Sequence, residues 1–356
     1  VATPHGRGVV LAKVVIDATG GADIAAAAGA ETIFVGAEHV AMQGTGLPPL
    51  DLGASYTNTD FAFVDDADPL DTWRLLVWAK RQKPYAGAYD LGRLVDTRER
   101  RRIVGEFVLS PLDELTGRTY PDTITMSRSN FDTHGFTVHP LMLIRPKRRD
   151  HGAPWCYTPY RCLIPKGLEG LLVVGLGTSA HRDAMPFIRM QPDLQNQGYA
   201  AGTAAAMAAR HGVRVRGIDV KALQKHLVEI GNLPERVLTD TDSFPLAQER
   251  IAAAIGSVVN KWEGLPVILA QPQDALPLVR KAHASAPSDD ARLVYAQILG
   301  VLGDAAGAET LARTVDAADW DDGWDFEGMG AYEQPLSRLD TLIVALGRTR
   351  DRRALA

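Results

Sequence analysis

One stretch limits the fold of this chain more than any other. Residues 171–177 read LLVVGLG, and residues 191–210 read QPDLQNQGYAAGTAAAMAAR. A four-residue apolar run closed by glycines is too short for a helix and has the composition of a strand buried on both faces. The alanine-rich run predicts a long helix from Pro192 to Arg210, with Pro192 in the first turn, where its missing N–H costs nothing. Strand, glycine turn and helix in this order are the unit of open α/β sheets, which bind ligands beyond the carboxyl ends of their strands.

A second unit opens the chain. Residues 9–18, VVLAKVVIDA, are β-branched and predict a strand, which empties into Thr19, Gly20 and Gly21 with Asp23 just beyond. Glycine at such an end lets backbone approach a ligand closely. A purely structural turn with a helix cap fits the same residues. In the long helix, Gly198 and Gly202 lie one turn apart on one face, open to another backbone or to a flat ligand. The helix start near Gln191 to Leu194 offers free N–H groups and partial positive charge. An alanine helix packed tightly beside a sheet accounts for these glycines equally well.

Between the two units, residues 44–69 are rich in Gly, Pro, Asp and Thr and predict loops around an extended piece at Asp60 to Val64. Leu70 to Arg81 predicts a helix. The apolar runs Ile103 to Leu109 and Thr137 to Ile144, separated by turn residues, predict strands of an antiparallel sheet. After Gly212 the pattern is helical. Tyr295, Ile298, Leu299, Leu302 and Gly303 recur 44 positions later as Leu339, Leu342, Ile343, Leu346 and Gly347. That period falls in the HEAT or armadillo range, with a plain helical bundle as the alternative.

Three segments taken together, IDATGGADIAAAAGA, RERRRIVGEFVL, and the run from YRCLIPKGLEG through GYAAGTAAAMAA, resemble the FAD-dependent oxidoreductase family whose members are often labelled xanthan lyases. The resemblance covers about residues 9–230. It implies an α/β fold with a glutathione-reductase-type FAD-binding domain over 1–43 and 160–212 and an inserted mixed-sheet substrate domain over 44–159. A helical connector (213–262) and a helical, HEAT-like region (263–356) follow. The GxGxxG turn that grips the dinucleotide is not in this sequence and is expected upstream, the chain starting at Val1 as the later part of a longer protein. Such a truncated piece is expected to bind FAD poorly alone.

Carried over by position, the resemblance places Ala18, Thr19, Gly20 and Asp23 near the FAD diphosphate. It places Gly175, Gly177, Gln191, Pro192, Gln197 and Gly198 near the ribityl chain and ring. Leu176 stands where the family commonly has arginine. On the substrate side it implies Arg98, Arg101, Asp132 and His134. His134 would take a hydroxyl or amine proton while hydride leaves for the flavin; a hydrogen-bonded loop histidine is the plain alternative.

Composition narrows the partners. Lys and Arg total 38 against 43 Asp and Glu, for a net charge of −5, which gives no field attractive to nucleic acid. No run approaches the roughly 18 apolar residues of a membrane span. Two cysteines, Cys156 and Cys162, cannot supply a four-cysteine zinc or iron–sulfur site, and with His151 and His181 they match no compact zinc spacing, so no metal is expected. The aromatic and acidic run from Trp320 through Trp324 and Phe326 to Tyr332 reads first as a loop anchoring helices, second as a sugar-stacking surface. The activity expected is oxidation of a small molecule. A non-catalytic scaffold working through its helical tail is the first alternative and a polysaccharide lyase the second.

Overall fold

The computed structural model describes residues 2–35, 43–46, 68–81, 96–98, 101–132, 137–144, 153–321 and 336–355. A short hairpin, β1 (Ala2–Thr3) and β2 (Gly6–Arg7), precedes β3 (Val15–Asp17), α1 (Asp23–Ala27), β4 (Thr32–Phe34) and β5 (Gln43–Gly46). Then come α2 (Pro69–Arg81), β6 (Asp96–Arg98), β7 (Arg101–Ile103), α3 (Pro111–Thr116), β8 (Thr123–Arg128), α4 (Pro140–Leu143), β9 (Trp155–Pro159) and β10 (Leu171–Val173). Helices complete the chain: α5 (Met185–Ile188), α6 (Gln191–His211), α7 (Val220–Glu229), α8 (Gln248–Ser257), α9 (Leu265–Ala270), α10 (Pro272–Ala284), α11 (Asp289–Val301), α12 (Ala308–Asp316) and α13 (Arg338–Arg348). No described helix is long and apolar enough to cross a membrane.

The two strand–turn units meet. β3 and β10 pair in parallel, with Val15 opposite Leu171, Ile16 opposite Leu172 and Asp17 opposite Val173. The strand expected over 9–18 is shorter than its composition suggested, because β10 offers three residues to pair with. Val9, Val10 and Leu11 lie outside it and are exposed, in keeping with β-propensity that rewards packing against neighbours more than backbone shape. The middle of the chain holds an antiparallel pair, β8 with β9, built from residues other than the two runs expected to supply it, and β4 pairs antiparallel with β7.

The run from Thr137 to Ile144 forms no strand. Pro140 lacks a ladder donor and suits a first helical turn, and His139 caps that turn, its ring nitrogen accepting the Leu141 N–H at 3.2 Å. After Ile103 the other expected run leaves strand geometry as well: Gly105 fits only because it has no side chain, since a Cβ there would sit 2.7 Å from that of Ser179. The segment Asp60 to Val64 lies outside the described residues.

Among the described residues beyond Gly212 every regular element is helical. One apolar cluster runs from Leu109, Met142 and Phe187 through Leu265 and Ile298 to Leu346, so the tail helices share a core with the middle of the chain. A second cluster packs Leu172 and Val174 against Ala200, Ala204 and Ala208 of α6 and Leu223 and Leu227 of α7. The seam between middle and tail is fastened by Arg118. Its fork bonds both oxygens of Asp242 at 2.9 and 2.8 Å, a third N–H reaches Asp113 at 2.9 Å, and its plane lies over the ring of Phe244. Bidentate, aromatic-stacked arginine holds its geometry better than lysine would.

The 44-residue recurrence has a spatial counterpart. Gln297 of α11 donates to the hydroxyl of Thr341 of α13, 44 positions on, at 3.3 Å. A Cβ on Gly300 would collide with the Ala345 carbonyl of α13, so the two helices cross at glycine distance. Replacing Gly300 by Ala is expected to cost about 2 kcal/mol, the usual scale for overpacking, read as a lower urea midpoint with unchanged m-value.

Candidate functional site

Because β3 and β10 run in parallel, the loops that follow them, Ala18 to Ala22 and Val174 to Thr178, leave the same end of the pair. The organiser of the first loop is Asp17, a residue that sequence reasoning passed over as a strand end. Its buried carboxylate accepts the Thr19 N–H at 2.9 Å, the Thr19 hydroxyl at 2.7 Å and the Ala25 N–H at 2.8 Å. Desolvation works against the charge, but the Thr19 hydroxyl and backbone N–H donors outweigh it and hold the carboxyl below its ordinary range. The Thr19 hydroxyl in turn accepts the Asp23 N–H at 2.8 Å at the start of α1. Gly20 stands at φ 81° and Ala22 at φ 51°, so this turn occupies left-handed space.

The second loop locks onto the first and onto α6. Val174 N–H donates to the Asp17 carbonyl at 2.9 Å. Gly175, at φ 78°, donates its N–H to the buried Gln197 side chain of α6 at 2.6 Å. Gly177 passes so close to Ala22 that a Cβ would lie 2.9 Å from that residue. Ala18 to Gly20, Gly175, Gly177 and Gln197, six of the residues expected around a cofactor, are therefore brought together at one end of the strand pair, Gly177 and Gln197 buried beneath the turns.

Gly198 differs from Gly177: nothing stands within 4 Å of where its Cβ would be, and the same holds for Gly202. Tight packing does not account for these two glycines; they leave an open strip along α6. Gln191 and Pro192 lie exposed at the head of the same helix, about 9 Å along the axis from Gln197. The residue before the helix, Met190, provides no side-chain cap. Asp193 sits in the first turn and accepts hydrogen bonds from Ser127 and from the Met190 N–H, while burial raises its carboxyl above the ordinary range.

On the substrate side the structure joins some residues and redirects others. Asp132 is tied to the head of α6 by Arg189, whose guanidinium donates to the Asp132 carbonyl at 2.5 Å and lies 3.5 Å from its carboxylate. The neighbouring rings of Phe131 and Phe187 pack with centroids 5.0 Å apart. Arg101 does not face this side. It bonds the Gly21 carbonyl at 2.8 Å and pairs with Asp23, pinning the first loop from β7. Arg98 ends β6, opposite Gln43 of β5. His134 lies outside the described residues.

Beneath α5 is a polar cluster that the sequence reading left unassigned. Asp183, fully buried, accepts the N–H groups of Val138 and His139 at 2.8 and 2.6 Å and lies 4.0 Å from buried Arg182. His181 accepts the Asp183 N–H through its ring Nδ1 at 3.0 Å, and its ring meets that of His139 edge to face. Burial, the neighbouring His181 and Arg348 push the His139 imidazole down to about 4 against the pull of Asp183. Both rings accept at Nδ1, so the neutral tautomer of each carries its proton on Nε2. The usable signal was the density of polar residues in TSAHRD, too many for a connecting loop after a buried strand.

The arrangement fits a dinucleotide cofactor in three respects: left-handed glycines at adjoining strand ends, an open glycine strip, and a helix head without a side-chain cap. Among the described residues no three His, Cys, Asp or Glu side chains are grouped to hold a metal ion.

Asp17→Asn is expected to lower stability at pH 7 by about 2 kcal/mol, since a charged acceptor of several N–H and O–H donors is lost. The native carboxyl is depressed, so its contribution is present above the unfolded-state value near 4 and fades as pH falls through the folded-state value. Wild type and variant should therefore converge in acid, which urea denaturation at pH 7 and pH 3 would show.

The model of one protein family, described as FAD dependent oxidoreductase, matches residues 78–227, a span that holds β10, the glycine turn and the whole of α6. Neither a curated protein nor a solved structure matches the chain. Over residues 78–227, then, this chain is similar to the FAD-dependent oxidoreductase family.

Proposed function

We propose that the surface formed by Ala18 to Gly20, Gly175, Gly177, Gln197 and Gly198 holds FAD in a glutathione-reductase-type domain, and that the protein oxidises a small molecule carrying a hydroxyl or amine. The observation that carries this reading is that two parallel strand ends adjoin and that the second is bonded to Gln197 of α6, next to Gly198, whose Cβ position is open. Bound FAD supplies a two-electron acceptor for the hydride. The chain's residues do the rest. Backbone at Gly20 and Gly175 comes close to the cofactor without steric conflict, and Gln197 fixes the second loop by its bond to Gly175. Gln191 and Pro192 present the head of α6, where helix N–H groups favour negative charge. Asp132, anchored by Arg189, positions the substrate loop, Arg98 binds substrate, and His134 accepts the proton from the hydroxyl or amine as hydride leaves carbon.

The tail has a different part in this reading. The helix pair α10–α11 and the pair α12–α13 form two HEAT-like units, joined by the Gln297–Thr341 bond and the Gly300 crossing. They contact a protein partner and take no part in flavin chemistry.

The open strip gives a clean test. At Gly198 no atom stands within 4 Å of where a Cβ would be, and Leu replaces a poor helix former by a good one, so thermal stability of Gly198→Leu should hold or rise slightly. FAD affinity, followed by quenching of flavin fluorescence, should fall at least about tenfold, equivalent to ~1.4 kcal/mol. Unchanged affinity in a stable variant would move the cofactor away from α6. Once substrates are found by screening alcohols and amines, His134→Ala should slow flavin reduction roughly 100-fold with flavin content unchanged.

A further inference from the structure

Three polar fastenings between the middle of the chain and its helical tail pass through residues 110–120. Arg118 binds Asp242, Arg250 of α8 donates to the Thr116 carbonyl at 2.8 Å, and the Thr119 hydroxyl donates to the Thr241 carbonyl at 2.9 Å. α3 itself is a wedge, in contact with β9 on one side and α9 on the other. Inside this wedge lies Glu114, 2 % exposed, with neither carboxyl oxygen bonded to any described residue.

The surroundings of Glu114 supply no compensating charge. Asp113 beside it is acidic, and α9, LPVILA, carries no ionisable side chain. Tyr120 and the Cys156 thiol of β9 are near enough to interact with it, and both are neutral. The cations of the region are committed elsewhere: Arg118 to Asp113 and Asp242, Arg250 to the Thr116 carbonyl, and Arg236 to Asp240 and the face of Tyr157. A carboxylate buried among apolar groups and a like charge is strongly disfavoured, so the group stays protonated where surface glutamates are ionised. A surface hollow of about 460 Å³, lined by Glu114, Thr116, Thr119, Trp155, Tyr157 and Arg236, adjoins the wedge and gives water a short route in once α3 loosens.

We propose that Glu114 is a protonation latch: as the neutral acid it keeps α3 seated between β9 and α9, and loss of its proton as pH rises frees the tail from that seat. The sign follows from linkage. A carboxyl raised in the folded state gives its full contribution below the unfolded-state value, and that contribution declines as pH rises toward the folded-state value. One proton lost per opening makes protection of the docked helix fall about tenfold per pH unit across that window.

Hydrogen exchange of the 356-residue chain between pH 6 and 10, corrected for intrinsic rates, tests the latch. Amides of α9 should lose protection with rising pH while those of Ala200 to Ala208 in α6 keep theirs. In Glu114→Gln the α9 amides should stay protected throughout. Should that variant fail to fold, Glu114→Leu serves, because it removes the titrating group and keeps an apolar wedge. Equal pH dependence in wild type and variant would overturn the proposal. So would wild-type α9 protection that does not change with pH, or a loss shared equally by α6.

Discussion

A ladder of three residue pairs holds this architecture together. Val15 to Asp17 lie against Leu171 to Val173, and more than 150 residues of chain separate the two strands. Closing a loop of that length costs entropy that three pairs of a parallel ladder do not return by themselves. What completes the closure is the set of contacts around it. Asp17 holds the turn after β3, Gln197 takes the Gly175 N–H, and Gly177 sits against Ala22. The same contacts that close the fold thus create the surface where two strand ends and one helix meet. Site and fold share one set of atoms, and for that reason Gly177 and Gln197 are structural residues whatever lies on the surface they support.

The parts of this arrangement with a local cause could be read from the residues. LLVVGLG and the alanine run state their strand and helix outright, and the helix start at Pro192 lies within a residue of the observed one. The joining of the two strand–turn units was implied by the family resemblance, which puts both in one domain, and not by either segment alone. Parts with a non-local cause could not be read. Asp17 looks like any acid at a strand end until the folded turn aims three donors at it. Arg189 gains its role from Asp132, 57 positions earlier, and Arg101 from a turn 80 positions earlier. The stretch from Thr137 to Ile144 shows a local rule losing to another local rule: a short apolar run suggested a strand, but Pro140 and the His139 cap settled a helical turn.

The tail is no passive extension. Its helices continue the apolar cluster that begins at Leu109, and polar fastenings line the seam beside that apolar contact. Directional bonds such as the Arg118 fork on Asp242 fix the relative placement of the two parts, whereas apolar contact alone tolerates sliding. Placement at this seam matters for the site because Asp183 and His139 lie one layer away, with Arg348 of α13 close enough to influence the His139 ring.

The two cysteines have a practical consequence. Cys156 and Cys162 are free thiols at 1 % and 0 % exposure, and burial pushes both well above the range in which a thiol ionises in neutral solution. Thiolate is the reactive form toward maleimides and disulfides. The native protein is therefore silent to such reagents while folded, and a single cysteine introduced on its surface would carry a fluorophore or spin label with no background from its own sulfur.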